Sequence, residues 1–178
     1  MHIPSSLIEK TLRGLDLLRD LTDADLARLV GRLELLSAPA EQGVFREGAE
    51  GLGLYIVIEG LVSIRRAMPT GGEHELAVLH PGECFGEMSL LDGAERMASA
   101  IVIEDALLAR LPRGTFDGLI DEDPVLGSRL LRSMSRVICQ RQRELTYVMQ
   151  DLVDFEREPV SPEEQAMSQM FMRHVTWN

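Results

Sequence analysis

Two ionisable residues of opposite charge stand close together in a short segment of small and apolar side chains. The segment, residues 85–100, reads FGEMSLLDGAERMASA, with Glu87 near its start and Arg96 near its end. A buried arginine needs an anionic partner and can hold a phosphate or a carboxylate through two parallel hydrogen bonds. A carboxylate can accept hydrogen bonds from sugar hydroxyls. The pair therefore predicts either an internal ion pair or a site for a phosphorylated sugar, and its spacing does not decide between the two.

The residues around Gly86 could supply backbone donors to the same anion. Gly86 permits a turn in which several backbone N–H groups converge, a geometry that suits an anion. Met88, Ser89 and Leu90 could open a short helix, whose N-terminal dipole would add to the attraction. Arginine and amides for a phosphate, and a glutamate for a ribose, together describe a site for the sugar-phosphate end of a nucleotide.

The elements that must position this segment follow from the pattern of the chain. Residues 1–37 are predicted to be a helical lead, in which Thr22 and Asp25 have the spacing of a capping box. Residues 38–113 contain recurring glycines between short β-rich runs, among them LYIVIEG, LVSIRR, ELAVLH, ASAIVIE and ALLARL. Because several runs alternate with period two, they predict an antiparallel sandwich or small barrel.

Residues 114–157 return to a helical pattern, and the longest helix is predicted to start at Pro124. A seven-residue repeat in this helix favours a two-stranded coiled coil and hence a homodimer, although such a helix could also pack on its own domain. Residues 158–178 form a tail with a predicted short amphipathic helix. The predicted dimer seam consists of Leu131, Met134, Ile138, Leu145, Val148 and Leu152.

Composition narrows the function classes. The formal net charge is −11, from 29 acidic and 18 basic residues, which argues against nucleic-acid binding by the protein as a whole. Two cysteines exclude a disulfide framework and are too few for a cysteine-ligated metal site. The sequence contains neither a long apolar run nor a signal-peptide core, so a cytoplasmic protein without membrane attachment is expected. No catalytic motif emerges, and an enzyme is not expected.

The segment 85–100 resembles the phosphate-binding cassette of the cyclic nucleotide-binding domain family, of the catabolite activator and cAMP-dependent kinase regulatory subunit type. The family pattern runs Phe-Gly-Glu-Leu-Ala-Leu, then a short gap, an arginine and a small residue. The order of elements is also similar over about residues 12–155. The resemblance implies an α+β fold, with an antiparallel, jelly-roll-like β-roll flanked by N-terminal helices and a long C-terminal dimerisation helix.

The resemblance also implies roles for individual residues. Glu87 would accept the ribose 2′-hydroxyl, Arg96 would pair with the cyclic phosphate, and the amides of Gly86, Ser89 and Met97 would complete the phosphate cradle. Family members that select cGMP often have a Thr or Ser at the position of Met97. The ligand is therefore expected to be cAMP, with cGMP and cyclic di-GMP as alternatives and no further cofactor.

The contact with the base is left open between two interpretations. Arg141 and Gln142 stand where dimeric activators of the family have two hydroxyl residues that reach the purine. Arg141 could stack on the base and Gln142 could bind its edge, or Arg141 could only set the register of the helix.

The implied function is that of a sensor that signals to a protein partner through its long helix. Direct DNA binding is not expected, because no basic recognition helix follows residue 157. The alternative is a ligand-free β-roll used as a protein interaction module. In that case Glu87 or another internal carboxylate would occupy Arg96, and a Met97 side chain that fills the phosphate site would favour it.

Overall fold

The computed structural model of the protein describes residue 8 and residues 11–156, which form an antiparallel sheet with helices before and after it. This arrangement confirms the predicted α+β fold and β-roll. Among the described helices, none combines the length and the hydropathy that a membrane span requires. The strands are β1 (Glu34–Ala38), β2 (Gly43–Phe45), β3 (Gly53–Ala67), β4 (Glu73–Leu79), β5 (Cys84–Phe85) and β6 (Ser99–Pro112). The helices are α1 (Asp23–Val30), α2 (Glu87–Asp92), α3 (Arg113–Glu122) and α4 (Pro124–Glu156), and a 3-10 turn covers Asp16–Leu18.

The long strands β3 and β6 form the centre of the sheet. They pair with each other antiparallel, β1 and β2 pair with β6, and β4 and β5 pair with β3. Successive side chains of a strand point to opposite faces. Accordingly, Leu54 and Ile56 belong to a core shared with the helices, whereas Tyr55 and Val57 belong to a second core made only of strand residues. The two central strands are thus buried on both faces.

Each central strand joins two runs that the sequence predicted as separate strands. LYIVIEG and LVSIRR form one bent strand, β3, and ASAIVIE and ALLARL form β6. The register between β3 and β6 shifts repeatedly between Val57 and Val62. Gly60 lies in this stretch at φ 82°, and a Cβ there would collide with the backbone of Asp105. A glycine therefore lets β3 bend without ending.

The N-terminal helical lead ends earlier than predicted. The capping box is confirmed, since the backbone N–H of Asp25 donates to Thr22 Oγ1 at 3.2 Å and that of Thr22 to Asp25 Oδ2 at 2.9 Å. However, α1 ends at Val30, and residues 34–37, predicted to be helical, lie in β1. Residues 34–38 pair antiparallel with β6, and this tertiary pairing outweighs their local preference.

The first half of α4 packs on its own domain. The helix starts at Pro124 as predicted, and Leu126, Leu130 and Met134 are all fully buried in the core shared by helices and sheet. The prediction that Met134 lies in the dimer seam is therefore wrong. The spacing of four residues places Met134 on the face that covers the domain, and a fully buried side chain has no surface left for a partner.

The other predicted seam positions differ in exposure. Leu131 is partly buried against the same core, Ile138 is half-buried, and Leu145 is 58% exposed. The side chains of Val148 and Leu152 lie outside the described part, as does the predicted tail helix. The dimer stays a prediction.

Candidate functional site

The predicted short helix after Gly86 is α2, and the geometry at Gly86 explains why a glycine precedes it. Gly86 caps the helix in the left-handed conformation, with φ 78° and ψ 12°. A Cβ at this position would also collide with the guanidinium of Arg96. Glycine is therefore needed both for the turn and for the close approach of the arginine.

Arg96 is a buried cation, only 4% exposed, whose hydrogen bonds go to neutral groups. Its Nη1 donates to the carbonyl of Gly86 at 2.8 Å, and its Nη2 donates to the carbonyl of Gly53 at 2.6 Å. Its Nε is buried and has no hydrogen-bond partner among the described residues. Because a guanidinium carries five N–H donors, Arg96 retains donors that an anion could use.

Aromatic rings lie beneath this guanidinium. Its Cζ is 4.1 Å from the ring centroid of Phe45 and 5.9 Å from that of Tyr55. The rings of Phe45, Tyr55 and Phe85 pack together with centroids 5.3–5.8 Å apart. A cation over an aromatic face is attracted without losing its charge. Sequence reasoning missed Phe45 and Tyr55, because they lie on strands far from the cassette along the chain and carry no local signal.

The charge of Arg96 is in an unfavourable environment without a ligand. Burial lowers the pKa of Arg96, and Arg113 and Arg110 lower it further, whereas Tyr55 and Glu87 raise it. An arginine nevertheless stays protonated in proteins. An anion bound here would compensate the desolvated charge of Arg96.

Five of the predicted site residues lie in α2 or next to it in the chain. Glu87 begins α2 and is 3% exposed, and Ser89 is 4% exposed with its hydroxyl donating to the carbonyl of Glu95 at 3.3 Å. Gly86 and Arg96 are joined by the hydrogen bond described above. Met97 follows directly and is 58% exposed.

Arg141 and Gln142 lie in the second half of α4. A second compact unit begins at Cys139, whereas the site described above belongs to the first unit, residues 1–138. Arg141 is partly buried and Gln142 is exposed. Their contact with a purine stays a prediction.

The sequence and the fold have known relatives. Residues 35–123, from β1 to the end of α3, match the family model of the cyclic nucleotide-binding domain. The chain belongs to the cyclic nucleotide-binding domain family. The resemblance seen in the cassette is thereby confirmed, and the matched region contains Gly86, Glu87, Ser89, Arg96 and Met97.

Individual relatives agree with this assignment. The chain is 40% identical over 118 residues to the cyclic AMP receptor protein of Thermus thermophilus, a match that covers 66% of this chain and 52% of the relative. The chain thus spans about half the length of that relative.

Two solved structures show the same fold. The catabolite activator protein of Thermus thermophilus has a TM-score of 0.69 and 34% identity, and the match covers 79% of this chain and 64% of that one. The regulatory domain of Toxoplasma gondii PKA, crystallised with cAMP, has a TM-score of 0.61 and 31% identity, covering 64% of this chain and 43% of that one.

Proposed function

We propose that this protein is a sensor that binds a cyclic nucleotide, with cAMP as its ligand, at the site around Arg96. The observation that carries the proposal is the state of the Arg96 guanidinium. It is buried against an aromatic ring, is held by two backbone carbonyls, and keeps an unpartnered Nε. The cyclic phosphate has one negative charge and several acceptor oxygens. The two hydrogen bonds of Arg96 to backbone carbonyls supply acceptors but no negative charge.

The other site residues have complementary roles in this proposal. The backbone amides of Gly86, Ser89 and Met97 donate to the phosphate together with Arg96. Glu87, at the start of α2, accepts the ribose 2′-hydroxyl. Its position within electrostatic reach of Arg96 supports this division of roles, because a cyclic nucleotide presents its phosphate and its ribose hydroxyl close together. The proposed role consists of binding and signalling, without a catalytic step.

Two observations favour cAMP over other ligands. The relative from Thermus thermophilus is named a cyclic AMP receptor protein, and the structure from Toxoplasma gondii contains cAMP. In addition, Met97 has no hydroxyl with which to bind a guanine. cGMP and cyclic di-GMP remain the alternatives for comparison.

Calorimetric titration of folded, nucleotide-stripped protein with cAMP, cGMP and cyclic di-GMP tests the proposal. We expect binding of cAMP, and a loss of affinity of roughly 30-fold to several thousand-fold in Arg96→Ala, since truncating one partner of a buried charge pair costs about 2–5 kcal/mol. Arg132→Ala is the matched control, because it removes the same charge from an exposed position of α4. Absence of heat with all three nucleotides would overturn the proposal.

A second candidate is the ligand-free interaction module. It is favoured by the two hydrogen bonds that Arg96 already donates to internal carbonyls, which satisfy the guanidinium in part without a ligand. Against it stands the exposure of Met97, since a side chain that is 58% exposed is not filling a phosphate site. The titration separates the two candidates, because only the sensor binds a nucleotide.

We further propose that the second half of α4 forms a homodimer and signals to a protein partner. The exposure of Leu145 supports this role, since a leucine in solvent on a long helix gains from a partner. Asp substitutions at Ile138 and Leu145 should yield monomers in light scattering, because each places a charge in the seam. Thr146→Asp, which lies next to Leu145 but outside the seam, should leave a dimer. A dimer that persists in both seam variants would place the interface elsewhere.

A further inference from the structure

Three arginines donate to three consecutive backbone carbonyls at the start of β3. We call residues 51–53 the arginine-bound segment. The arginines come from three different places: Arg96 follows α2, Arg110 lies near the end of β6, and Arg113 is the first residue of α3. The hydrogen bonds are Arg113 Nε to Gly51 O at 2.9 Å, Arg110 Nη2 to Leu52 O at 3.2 Å, and Arg96 Nη2 to Gly53 O at 2.6 Å.

Arg113 connects this segment to the cassette helix. While its Nε binds Gly51, its Nη2 donates to the carbonyl of Ser89 in α2. Its backbone N–H donates to Leu52 at 3.0 Å. Gly51 makes the arrangement possible, because a Cβ there would collide with Ser89. A single residue at the start of α3 thus holds the arginine-bound segment and α2 together.

Arg96 joins the same two parts of the molecule from the other side. It donates to Gly53 in the arginine-bound segment and to Gly86 at the start of α2. A phosphate bound at the unpartnered Nε of Arg96 acts on the same guanidinium whose Nη groups hold these two carbonyls. A shift of the guanidinium towards the phosphate therefore changes its bonds to the segment and to α2, and both of these are bound to Arg113.

We propose that Arg113 is a positioning residue that couples occupancy of the Arg96 site to the start of α3. The inference rests on the proposed function for the identity of the anion. The coupling itself follows from the hydrogen bonds, which form a continuous path from Arg96 through the arginine-bound segment to Arg113. Because only Asp123 separates α3 from α4, a displacement of α3 reaches the long helix directly.

Hydrogen–deuterium exchange of the protein, with and without saturating cAMP, tests the coupling. In the unmodified protein, cAMP should change the exchange of amides in α3. In Arg113→Lys, cAMP should still bind, about five- to tenfold more weakly, but the change in α3 should disappear. Lysine keeps the charge of Arg113, whereas a single ammonium group lacks the planar fork that reaches Gly51 and Ser89 together. An unchanged response of α3 in Arg113→Lys would overturn the proposal.

Arg110→Ala is the matched control. Arg110 also donates to the arginine-bound segment, but its other partner is Glu34 on β1 rather than the cassette helix. The response of α3 to cAMP should therefore survive in Arg110→Ala. Equal loss in Arg110→Ala and Arg113→Lys would assign the effect to the segment as a whole and overturn a specific role of Arg113.

A ligand-free experiment distinguishes failure of this inference from failure of the proposed function. Urea unfolding of Arg96→Ala, Arg113→Lys and the double variant forms a mutant cycle. Coupled residues should give a double variant whose loss of stability differs from the sum of the two single losses, and additive losses would overturn the coupling. If the protein binds none of the three nucleotides, the proposed function fails, and the mutant cycle still decides whether Arg96 and Arg113 are coupled.

Discussion

Two buried charges of opposite sign in this protein have different kinds of hydrogen-bond partners. Asp25, 1% exposed, lies in α1, and Arg96, 4% exposed, lies between α2 and β6. Removing either charge from water is costly, and the cost must be offset by partners. The kind of partner that each charge has indicates its role.

Asp25 is surrounded by donors that neutralise it. It accepts hydrogen bonds from the backbone and hydroxyl of Thr22 at 2.9 Å and 2.7 Å, from Arg28 at 2.6 Å, and from Arg129 of α4. Arg28 also pairs with Asp123, which stands between α3 and α4. Burial by itself would raise the pKa of Asp25, but the hydrogen bonds from Thr22, Arg129 and Arg28 outweigh it and hold the pKa well below its usual range.

The hydrogen-bond partners of Arg96 are neutral and do not compensate its positive charge. Backbone carbonyls and an aromatic ring hold the guanidinium in position, and burial lowers the pKa of Arg96. The comparison teaches that a buried charge bonded to opposite charges ties helices together, whereas one bonded to neutral groups remains able to bind a ligand.

The largest expected effect concerns Asp25. Asp25→Ala should lower the free energy of unfolding by about 3 kcal/mol, because it breaks a buried ion network and removes half of the capping box. The affinity of Asp25→Ala for cAMP should stay within about twofold of that of the unmodified protein, because Asp25 is not one of the site residues. Urea unfolding and calorimetry measure the two quantities.

Asp23→Ala serves as the control for Asp25→Ala. Asp23 lies two residues earlier in α1 and forms an exposed ion pair with Arg13, which is worth less than about 1 kcal/mol. Loss of nucleotide affinity in Asp25→Ala, with stability unchanged, would contradict the structural role of Asp25 and would assign it a role in binding instead.

A smaller effect is expected at Gly86, and it tests whether the position of the Arg96 guanidinium matters for nucleotide binding. Gly86→Ala and Gly93→Ala should each lose about 1–2 kcal/mol of stability, because both glycines are left-handed, at φ 78° and 74°. Only at Gly86 does a Cβ also collide with the Arg96 guanidinium, whereas nothing lies within 4 Å at Gly93. Nucleotide affinity should therefore fall about tenfold, or 1.4 kcal/mol, in Gly86→Ala alone. Equal affinities in the two variants would show that the placement of Arg96 does not matter for binding.

The smallest effect is a pH dependence of stability that Asp25 should show and Arg96 should not. The pKa of Asp25 is lowered on folding, so its stabilisation is complete above the unfolded pKa of about 3.9 and is lost as pH falls from there through the lower folded pKa. The stability difference between the unmodified protein and Asp25→Ala should be constant from about pH 7 to about pH 5 and should shrink below about pH 4. Urea unfolding across this range measures it, and a difference that grows on acidification would contradict the assigned sign.

Much of the fold and of the candidate site could be predicted from local patterns. The capping box, the start of α4 at Pro124 and the cassette from Gly86 to Met97 each depend on neighbouring residues. Residues 34–37 could not be assigned correctly, because their strand exists only through pairing with β6. Met134 fits the seven-residue repeat and the four-residue spacing equally well, and only packing against the core decided between them.

The sequence by itself determined which chemistry is present: a glycine, a glutamate and an arginine at the spacing of a phosphate-binding cassette, within an acidic chain of β-rich runs and helices. Only the tertiary structure decided how Arg96 is held, because Gly53 and Phe45 reach it through strand pairing rather than through sequence proximity. The tertiary structure also decided the contact between Arg113 and Ser89. The two residues meet because β6 ends next to the cassette helix α2 and α3 begins directly after β6. Local sequence patterns specify the arginine donors and the glycine turns, whereas the pairing of distant strands decides which backbone carbonyl accepts a hydrogen bond from each arginine.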